Sequence, residues 1–239
     1  MQGAIMRRLP QQARGQRRIE AILDAAEEVL VESGFEGATT NAIAAKADTS
    51  IGSIYQFFPN KEAILEALGM RYTKRMEGMF SELLGEEAVR LPPVELVRQI
   101  IDALDGMQQA SPAFKVMFCG KTPVPALLEA VPALLEAEDA LHSHIIGGVA
   151  RILAQRAPWL APDHIYLYAT ISVKIVEAVM PVLAETAGTR RALVLQEMKR
   201  LLLAYISPLL VADGPDIQTP NVPQATPETS DLPEEKTGE

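Results

Sequence analysis

One short segment constrains the fold of this chain more than any other: residues 39–62, with the sequence TTNAIAAKADTSIGSIYQFFPNKE. Thr39 is typical of a helix N-cap, since its side-chain oxygen can accept a backbone N–H left unpaired at a helix start. The polar run at 48–50 ends that helix, and its last residue, Ser50, can cap a second one. A third helix follows Asn60, which is also a suitable cap. The segment therefore predicts two short helices joined by a tight turn, the arrangement that presents a DNA-reading helix to a groove.

This segment and the helix before it resemble the DNA-binding end of the tetracycline-repressor (TetR) family of bacterial transcription regulators. The resemblance covers roughly residues 17–65, and several fixed spacings hold together within it. The residues that carry it are Gly34-Phe35, Thr39-Thr40, Ile43-Ala44, Ala47, Ser50, Gly52, Ile54-Tyr55, Phe58 and Asn60-Lys61-Glu62. Beyond residue 65 the resemblance is one of helical architecture only.

The resemblance implies which side chains face DNA. Gln56 can pair with adenine through its amide, Lys61 can approach a phosphate, and Gly52 has no side chain to hold the helix away from the DNA backbone. Ile51 and Phe57 depart from the residues that the family usually carries at these positions. The implied DNA-contacting set is Thr40, Thr49, Ser50, Gly52, Ser53, Tyr55, Gln56, Phe57 and Lys61.

The net charge of −9 is distributed unevenly along the chain. Residues 1–77 carry ten basic and ten acidic side chains, whereas residues 213–239 carry one lysine and seven acids. The first eighteen residues hold five arginines and no acid. We therefore expect residues 1–15 to form a basic flexible arm, which either assists DNA binding electrostatically or is simply solvated.

The remainder of the chain predicts an all-α protein. An N-terminal three-helix helix-turn-helix domain occupies residues 16–62, and a helical effector-binding and dimerisation domain occupies residues 63–212. The segment 213–239, rich in proline, acids and polar residues, is expected to be a disordered acidic tail. Hydrophobic periodicity and proline punctuation place helices near 16–33, 61–84, 94–109, 112–119, 125–156 with a break near Pro132, 162–187 with a kink at Pro181, and 189–211.

The last two predicted helices are too apolar for the outer layer of a monomer. Their hydrophobic residues spread beyond a single stripe, so each helix needs two buried faces. One reading is an internal core. The other, which the family resemblance implies, is a four-helix bundle formed with a second copy of the chain, and it predicts that Leu195 and Leu202 lie in the dimer interface.

Several side chains in the central helices are candidates for an effector chamber, as the sensor half of the family implies. Methionine and aromatic side chains adapt to varied ligand shapes, and the helices offer little unpaired charge, so an apolar or amphipathic small molecule is expected. His142 either faces this core or is structural, and Lys174 either contacts ligand or pairs with Glu177 three residues on. The remaining candidates are Met107, Phe114, Met117, Phe118, Leu127, Leu128, Trp159 and Tyr166.

Other function classes find little support in the sequence. It contains no glycine-rich phosphate loop, no nucleophile elbow and no metal-spaced histidine pair, so we expect neither catalytic residues, nor a metal, nor a cofactor. Cys119 is the only cysteine, and no apolar run approaches the ~20 residues of a membrane span. The expectation is a cytoplasmic homodimeric repressor that leaves double-stranded operator DNA when effector binds. The alternative is a helical DNA-binding protein regulated by a protein partner.

Overall fold

A computed structural model describes residues 8–118 and 132–211, and every regular element in these two ranges is helical. The all-α prediction is therefore confirmed. The α-helices are α1 (Arg8–Gly37), α2 (Thr40–Lys46), α3 (Ile51–Tyr55), α4 (Lys61–Leu83), α5 (Pro93–Ala110), α6 (Pro112–Phe118), α7 (Pro132–Arg156), α8 (Pro162–Ala184) and α9 (Gly188–Ile206). Short 3-10 helices follow α4 at Glu86–Val89 and α9 at Ser207–Leu210.

Three side-chain caps fix helix starts in the N-terminal part of the chain, from α1 to the first turns of α4, which is called the reading end below because of its predicted helix-turn-helix. Thr39, Ser50 and Asn60 each accept a hydrogen bond from the backbone N–H three residues further on, at 3.2, 3.1 and 2.9 Å. These are the caps that the sequence predicts. Between α2 and α3 the backbone of Asp48 has a φ of 46°, a left-handed conformation that aspartate tolerates better than most residues. The tight turn therefore depends on the side-chain caps and on the left-handed conformation of Asp48.

Helix α1 is longer than the sequence analysis predicts. It begins at Arg8 rather than near residue 16, so residues 8–15 of the predicted arm are helical. Residues 11–14, Gln-Gln-Ala-Arg, are good helix formers and extend the helix towards the N-terminus. At the other end Gly34, with φ 66° and ψ −174°, interrupts the helical geometry before the last turn. This agrees with the predicted stop at Gly34.

Helix α4 connects the reading end to the rest of the protein. Its side chains Leu68 and Tyr72 are fully buried, and the core is continuous from α1 to α9. Arg71 ties α4 to α1, since its guanidinium bonds Asp24 at 2.6 Å and Glu27 at 2.8 Å. At the far end of α4, a Cβ added to Gly148 of α7 would lie 2.8 Å from the Leu84 side chain. A larger residue at this position would therefore force the Leu84 side chain to move.

The other helices follow the predicted boundaries with two differences. Helix α8 ends at Ala184, three residues before the predicted end, and α9 ends at Ile206 before its short 3-10 turn. Helix α8 continues through Pro181, and its C-terminal carbonyls are bonded from outside: Gln108 donates to Met180 at 3.3 Å and Arg191 to Leu183 at 2.8 Å. The predicted helix over 125–131 and the acidic tail lie outside the described residues.

Helix α8 is also long and apolar enough to span a membrane by length and composition alone. The uninterrupted apolar run in its sequence is shorter, because Lys174 and Glu177 divide it. In the structure these two side chains form an ion pair at 2.6 Å, and α8 packs between α7 and α9. Helix α8 is thus apolar on two faces. One face packs inside the protein, and the other is exposed.

Candidate nucleic-acid interface and interior cavity

Helix α3 presents its polar face to solvent. Ile54 and Phe58 are buried and hold this face outward, while Tyr55 is 56% exposed. Within the predicted DNA-contacting set, four residues are exposed: Ser50, Gly52, Tyr55 and Gln56. The other five are half-buried: Thr40, Thr49, Ser53, Phe57 and Lys61. The whole predicted set therefore reaches the surface of the reading end.

Several members of this set also make contacts within the protein. Phe57 packs against the core, so only part of its ring is available to DNA. The Lys61 ammonium lies 4.9 Å from the centroid of the Phe35 ring, a cation–π contact at the start of α4. The Ser50 hydroxyl caps α3. These residues thus have structural roles in addition to any contact with DNA.

The glycine at position 52 is not required by crowding inside the protein. A Cβ added there would meet only the Ser50 Oγ, at 3.9 Å, which is an ordinary van der Waals contact. A larger side chain would therefore have room to project outward from α3.

Two cations of the reading end differ in their contacts: Lys46 forms ion pairs, whereas Arg18 lies on the surface of α1. Lys46 bonds Glu32 at 2.6 Å and Glu28 at 2.9 Å, and these hydrogen bonds raise the pKa of its ammonium. By contrast, Arg18 is exposed and its Nη1 donates to the Ser53 Oγ at 3.3 Å. From the sequence, Arg18 is only one of the five arginines in the first eighteen residues. Its contact with α3 depends on how α1 crosses α3, which local sequence does not reveal.

A cavity of about 300 Å³, partly open to solvent, lies between α4, α5, α7, α8 and α9. Most of its lining is aliphatic or aromatic, including Phe80, Ile145 and Val176. The polar side chains in the lining are Thr73, Glu138, His142, Arg156, Ser172 and Glu177. Such a cavity suits a ligand that is mainly apolar and carries a few polar groups.

Two of the predicted chamber residues line this cavity, namely Phe114 and His142. Met117 is buried and Met107 half-buried, but both pack in the core away from the cavity wall. The side chains of Phe118 and Leu128, like that of Leu127, lie outside the described part of the structure.

Tyr166 and Lys174 do not line the cavity, which corrects their predicted placement. Tyr166 is 56% exposed, and Lys174 is exposed beside Glu177. Trp159 is 46% exposed and also lies outside the lining. The sequence identified two apolar faces on α8 but not which one faces inward. The ion pair predicted for Lys174 is confirmed.

The polar groups in the cavity are concentrated around Glu177. Its carboxylate lies 2.6 Å from the Lys174 ammonium and 2.8 Å from His142 Nε2. Glu138, one helical turn before His142, is half-buried, and burial raises the pKa of its carboxyl. No group of three or more His, Cys, Asp or Glu side chains that could hold a metal occurs among residues 8–118 and 132–211.

A chain of contacts joins the cavity wall to α1. Phe114 packs edge-on against the Tyr72 ring with 5.5 Å between centroids. The Tyr72 hydroxyl bonds Ser111 Oγ, which donates to Glu27 of α1 at 2.5 Å. Burial, followed by the nearby Glu27 carboxylate, raises the pKa of Tyr72 well above its ordinary value. The Tyr72 hydroxyl is therefore uncharged and donates its hydrogen bond to Ser111 Oγ. Helices α4 and α6 thus connect the cavity to the first helix of the reading end.

Helices α8 and α9 leave several large apolar side chains exposed. Their exposed fractions are 51% for Leu167, 49% for Val182, 56% for Leu193 and 49% for Leu201. Leu202, predicted to lie in a dimer interface, is instead buried and lines the cavity, and Leu195 is half-buried against the core. Leu195 and Leu202 were predicted to lie on the outer face of α9, but they lie on its inner face. The sequence does not separate the two faces, because leucines occur on both sides of the helix.

Comparison with protein families accounts for both parts of this architecture. Residues 22–68 match the description "Bacterial regulatory proteins, tetR family", and residues 92–206 match "Tetracyclin repressor-like, C-terminal domain". The chain belongs to the TetR family. It is a DNA-binding transcriptional regulator, and members of this family are transcriptional regulators rather than enzymes. The resemblance drawn from segment 39–62 is confirmed.

Individual relatives of this TetR-family chain match it over different lengths. From Bacillus subtilis, the uncharacterized HTH-type regulator YvkB is 35% identical over 65 residues, which cover 27% of this chain and 34% of that protein. The fatty acid metabolism regulator protein of the same organism is 39% identical over 66 residues, 28% of this chain and 32% of that protein. The chain thus matches about a third of the length of these relatives.

A solved structure matches over most of both chains. The fatty acid degradation regulator FadR from Bacillus halodurans has a TM-score of 0.58 and 19% identity, covering 78% of this chain and 94% of that one. At this identity the likeness concerns the fold alone.

Proposed function

We propose that this regulator is a cytoplasmic homodimeric repressor that an apolar or amphipathic small molecule releases from its operator. The observation that carries the proposal is the apolar cavity of about 300 Å³. An effector acts only through different affinities for two states of the protein. A ligand that repositions Phe114 in the cavity wall would act on Tyr72 and, through Ser111, on Glu27 of α1. The reading helices would then shift relative to each other.

The exposed apolar faces of α8 and α9 support a homodimer. Leu167 and Val182 on α8, with Leu193 and Leu201 on α9, are each about half exposed. A monomer rarely exposes so many large apolar side chains on two adjacent helices. Two copies joined through these faces would form a four-helix bundle. A two-fold dimer would also place two α3 helices on DNA and double the sequence that is read.

The alternative function is regulation by a protein partner without a small molecule. The cavity favours the small-molecule proposal, because a filled core would leave no site for a ligand. The names of two related proteins mention fatty acids, which are apolar chains with a polar end. This agrees with the proposed ligand class, although the B. subtilis protein matches only 28% of this chain.

The proposal is tested by filling the cavity. We would first select high-affinity operator DNA from a random pool with the full-length protein, then measure its release by fluorescence anisotropy as dodecanol is added. Wild type should release the DNA. Val176→Trp places a large ring in the cavity lining and should abolish the response, whether the variant stays bound or is permanently released.

The matched control is Val94→Trp, at a 63% exposed position on α5 outside the cavity. This variant should respond to dodecanol as wild type does. An unchanged response in Val176→Trp would mean that the ligand does not act through this cavity. A wild type that ignores every alkyl ligand would favour the protein-partner alternative.

A further inference from the structure

The cavity lining includes polar groups at two distant points along α7. Glu138 and Arg156 lie on the same helix, and both contribute to the lining. At 1.5 Å per residue, their positions are separated by about 27 Å along the helix axis. Apolar residues that line the cavity occupy the turns between them. The cavity is therefore elongated. Either of its two ends could hold the polar head group of a ligand.

The Arg156 guanidinium binds backbone carbonyls of the segment that precedes α5. It donates to the carbonyl of Ala88 at 2.8 Å, to that of Val89 at 3.1 Å and to that of Leu91. Burial lowers the pKa of Arg156. These three bonds tie α7 to the segment between α4 and α5 and give the arginine a structural role.

The other end of the cavity is acidic. Glu177 is shared between Lys174 on the outside of α8 and His142 on α7. Glu138 is a second carboxyl in the same lining, and no hydrogen bond or ion pair joins it to any residue in the described ranges. The nearest charged groups are Glu177, Asp139 and Lys174, together with the titratable His142. When Glu138 itself is counted and His142 is left out, three carboxylates and one ammonium give a net charge of −2, so a positive charge would be favoured at this end.

We propose that the effector is an amine with a long apolar body, whose ammonium group lies between Glu138 and Glu177 while its chain follows α7. This inference rests on the proposed small-molecule function and specifies its ligand class. An ammonium supplies three hydrogen-bond donors, and the two carboxylates are acceptors. A charged pair in a half-buried site is stronger than a neutral hydrogen bond. The same carboxylates repel a ligand with an acidic head, so this end also discriminates against fatty acids.

The test compares three ligands that share one alkyl chain: dodecylammonium, dodecanol and dodecanoate, each kept below its aggregation concentration. Isothermal titration calorimetry on the full-length protein should give wild type an affinity for dodecylammonium about tenfold or more above that for dodecanoate. Glu138→Gln keeps the shape of the side chain and removes its charge. It should cut this preference by about fivefold or more while leaving dodecanol affinity nearly unchanged.

Glu136→Gln is the matched control, because Glu136 lies on the same helix, is exposed and is absent from the cavity lining. It should keep the wild-type preference. Glu138→Lys should reverse the preference towards dodecanoate, provided that circular dichroism shows wild-type helix content. If dodecanoate or dodecanol binds wild type more tightly than dodecylammonium, or if Glu138→Gln keeps the full preference, the head-group assignment is wrong and the small-molecule function stands. If none of the three ligands binds, the proposed function itself fails.

Discussion

The reading end and the sensor half use their apolar side chains in different ways. In the reading end, Ile43, Ile54 and Ile64 are fully buried, and the proposed DNA-contacting side chains reach the surface. In the proposed sensor half, from α4 to α9, a partly open cavity lies between the helices, and the candidate ligand-contacting side chains line it. Changes on the reading surface should therefore alter DNA affinity with little effect on stability. Changes in the sensor should affect packing and ligand response together.

Gly52→Glu should have the largest effect. The new side chain has room to project from α3 and places a negative charge against the DNA backbone. Like-charge contact costs several kcal/mol, so we expect operator affinity to fall by about a hundredfold or more. The melting temperature should hardly change. Fluorescence anisotropy and circular dichroism measure the two quantities.

Gly106→Glu is its control, because Gly106 is an exposed helical glycine on α5 with open space around it. This variant adds the same charge far from α3 and should bind operator as wild type does. Equal affinities for Gly52→Glu and Gly106→Glu would remove α3 from the DNA interface.

Leu201→Glu should convert the protein from dimer to monomer. Leu201 is 49% exposed on α9, and in the proposed bundle its replacement would bury an unpaired charge. Sedimentation velocity should show a loss of the dimer at micromolar concentration. Val94→Glu, at a more exposed apolar position on α5, should stay dimeric. A dimeric Leu201→Glu would place the interface on other helices.

Gln56→Ala should reduce affinity for the selected operator by about 1–3 kcal/mol, the value of one good base contact. Gln56 is exposed just after α3, so the loss should come from DNA and not from folding. Measurement on operators with each base pair changed in turn should show that the variant has relaxed specificity at one position. A uniform loss at every operator would make Gln56 a backbone contact.

Lys61→Ala should have the smallest effect on specificity. A phosphate contact positions the protein without reading sequence, so affinity should fall nearly equally for all operators. The slope of log affinity against log salt should decrease by about one. Loss of the contact with Phe35 should also lower the melting temperature slightly. A loss confined to one operator sequence would contradict the assignment of Lys61 to a phosphate.

The same contrast explains what the sequence could predict. The caps at Thr39, Ser50 and Asn60 act within three residues, so residue type and spacing were sufficient to place them. The side of a long helix that faces the cavity depends on how several helices pack. Tyr166 and Leu202 were placed on the wrong faces for this reason.

The link between the two regions is the central claim, and Ser111→Ala tests it most directly. Ser111 joins Tyr72 to Glu27, so its hydroxyl connects the cavity side of the protein to α1. The measurement is the ratio of operator affinities without and with saturating alkyl ligand, compared with the exposed α7 control Ser143→Ala. We predict that Ser111→Ala lowers this ratio by about fivefold or more while calorimetry shows that ligand still binds. An unchanged ratio in Ser111→Ala, equal to that of Ser143→Ala, would contradict this route of coupling.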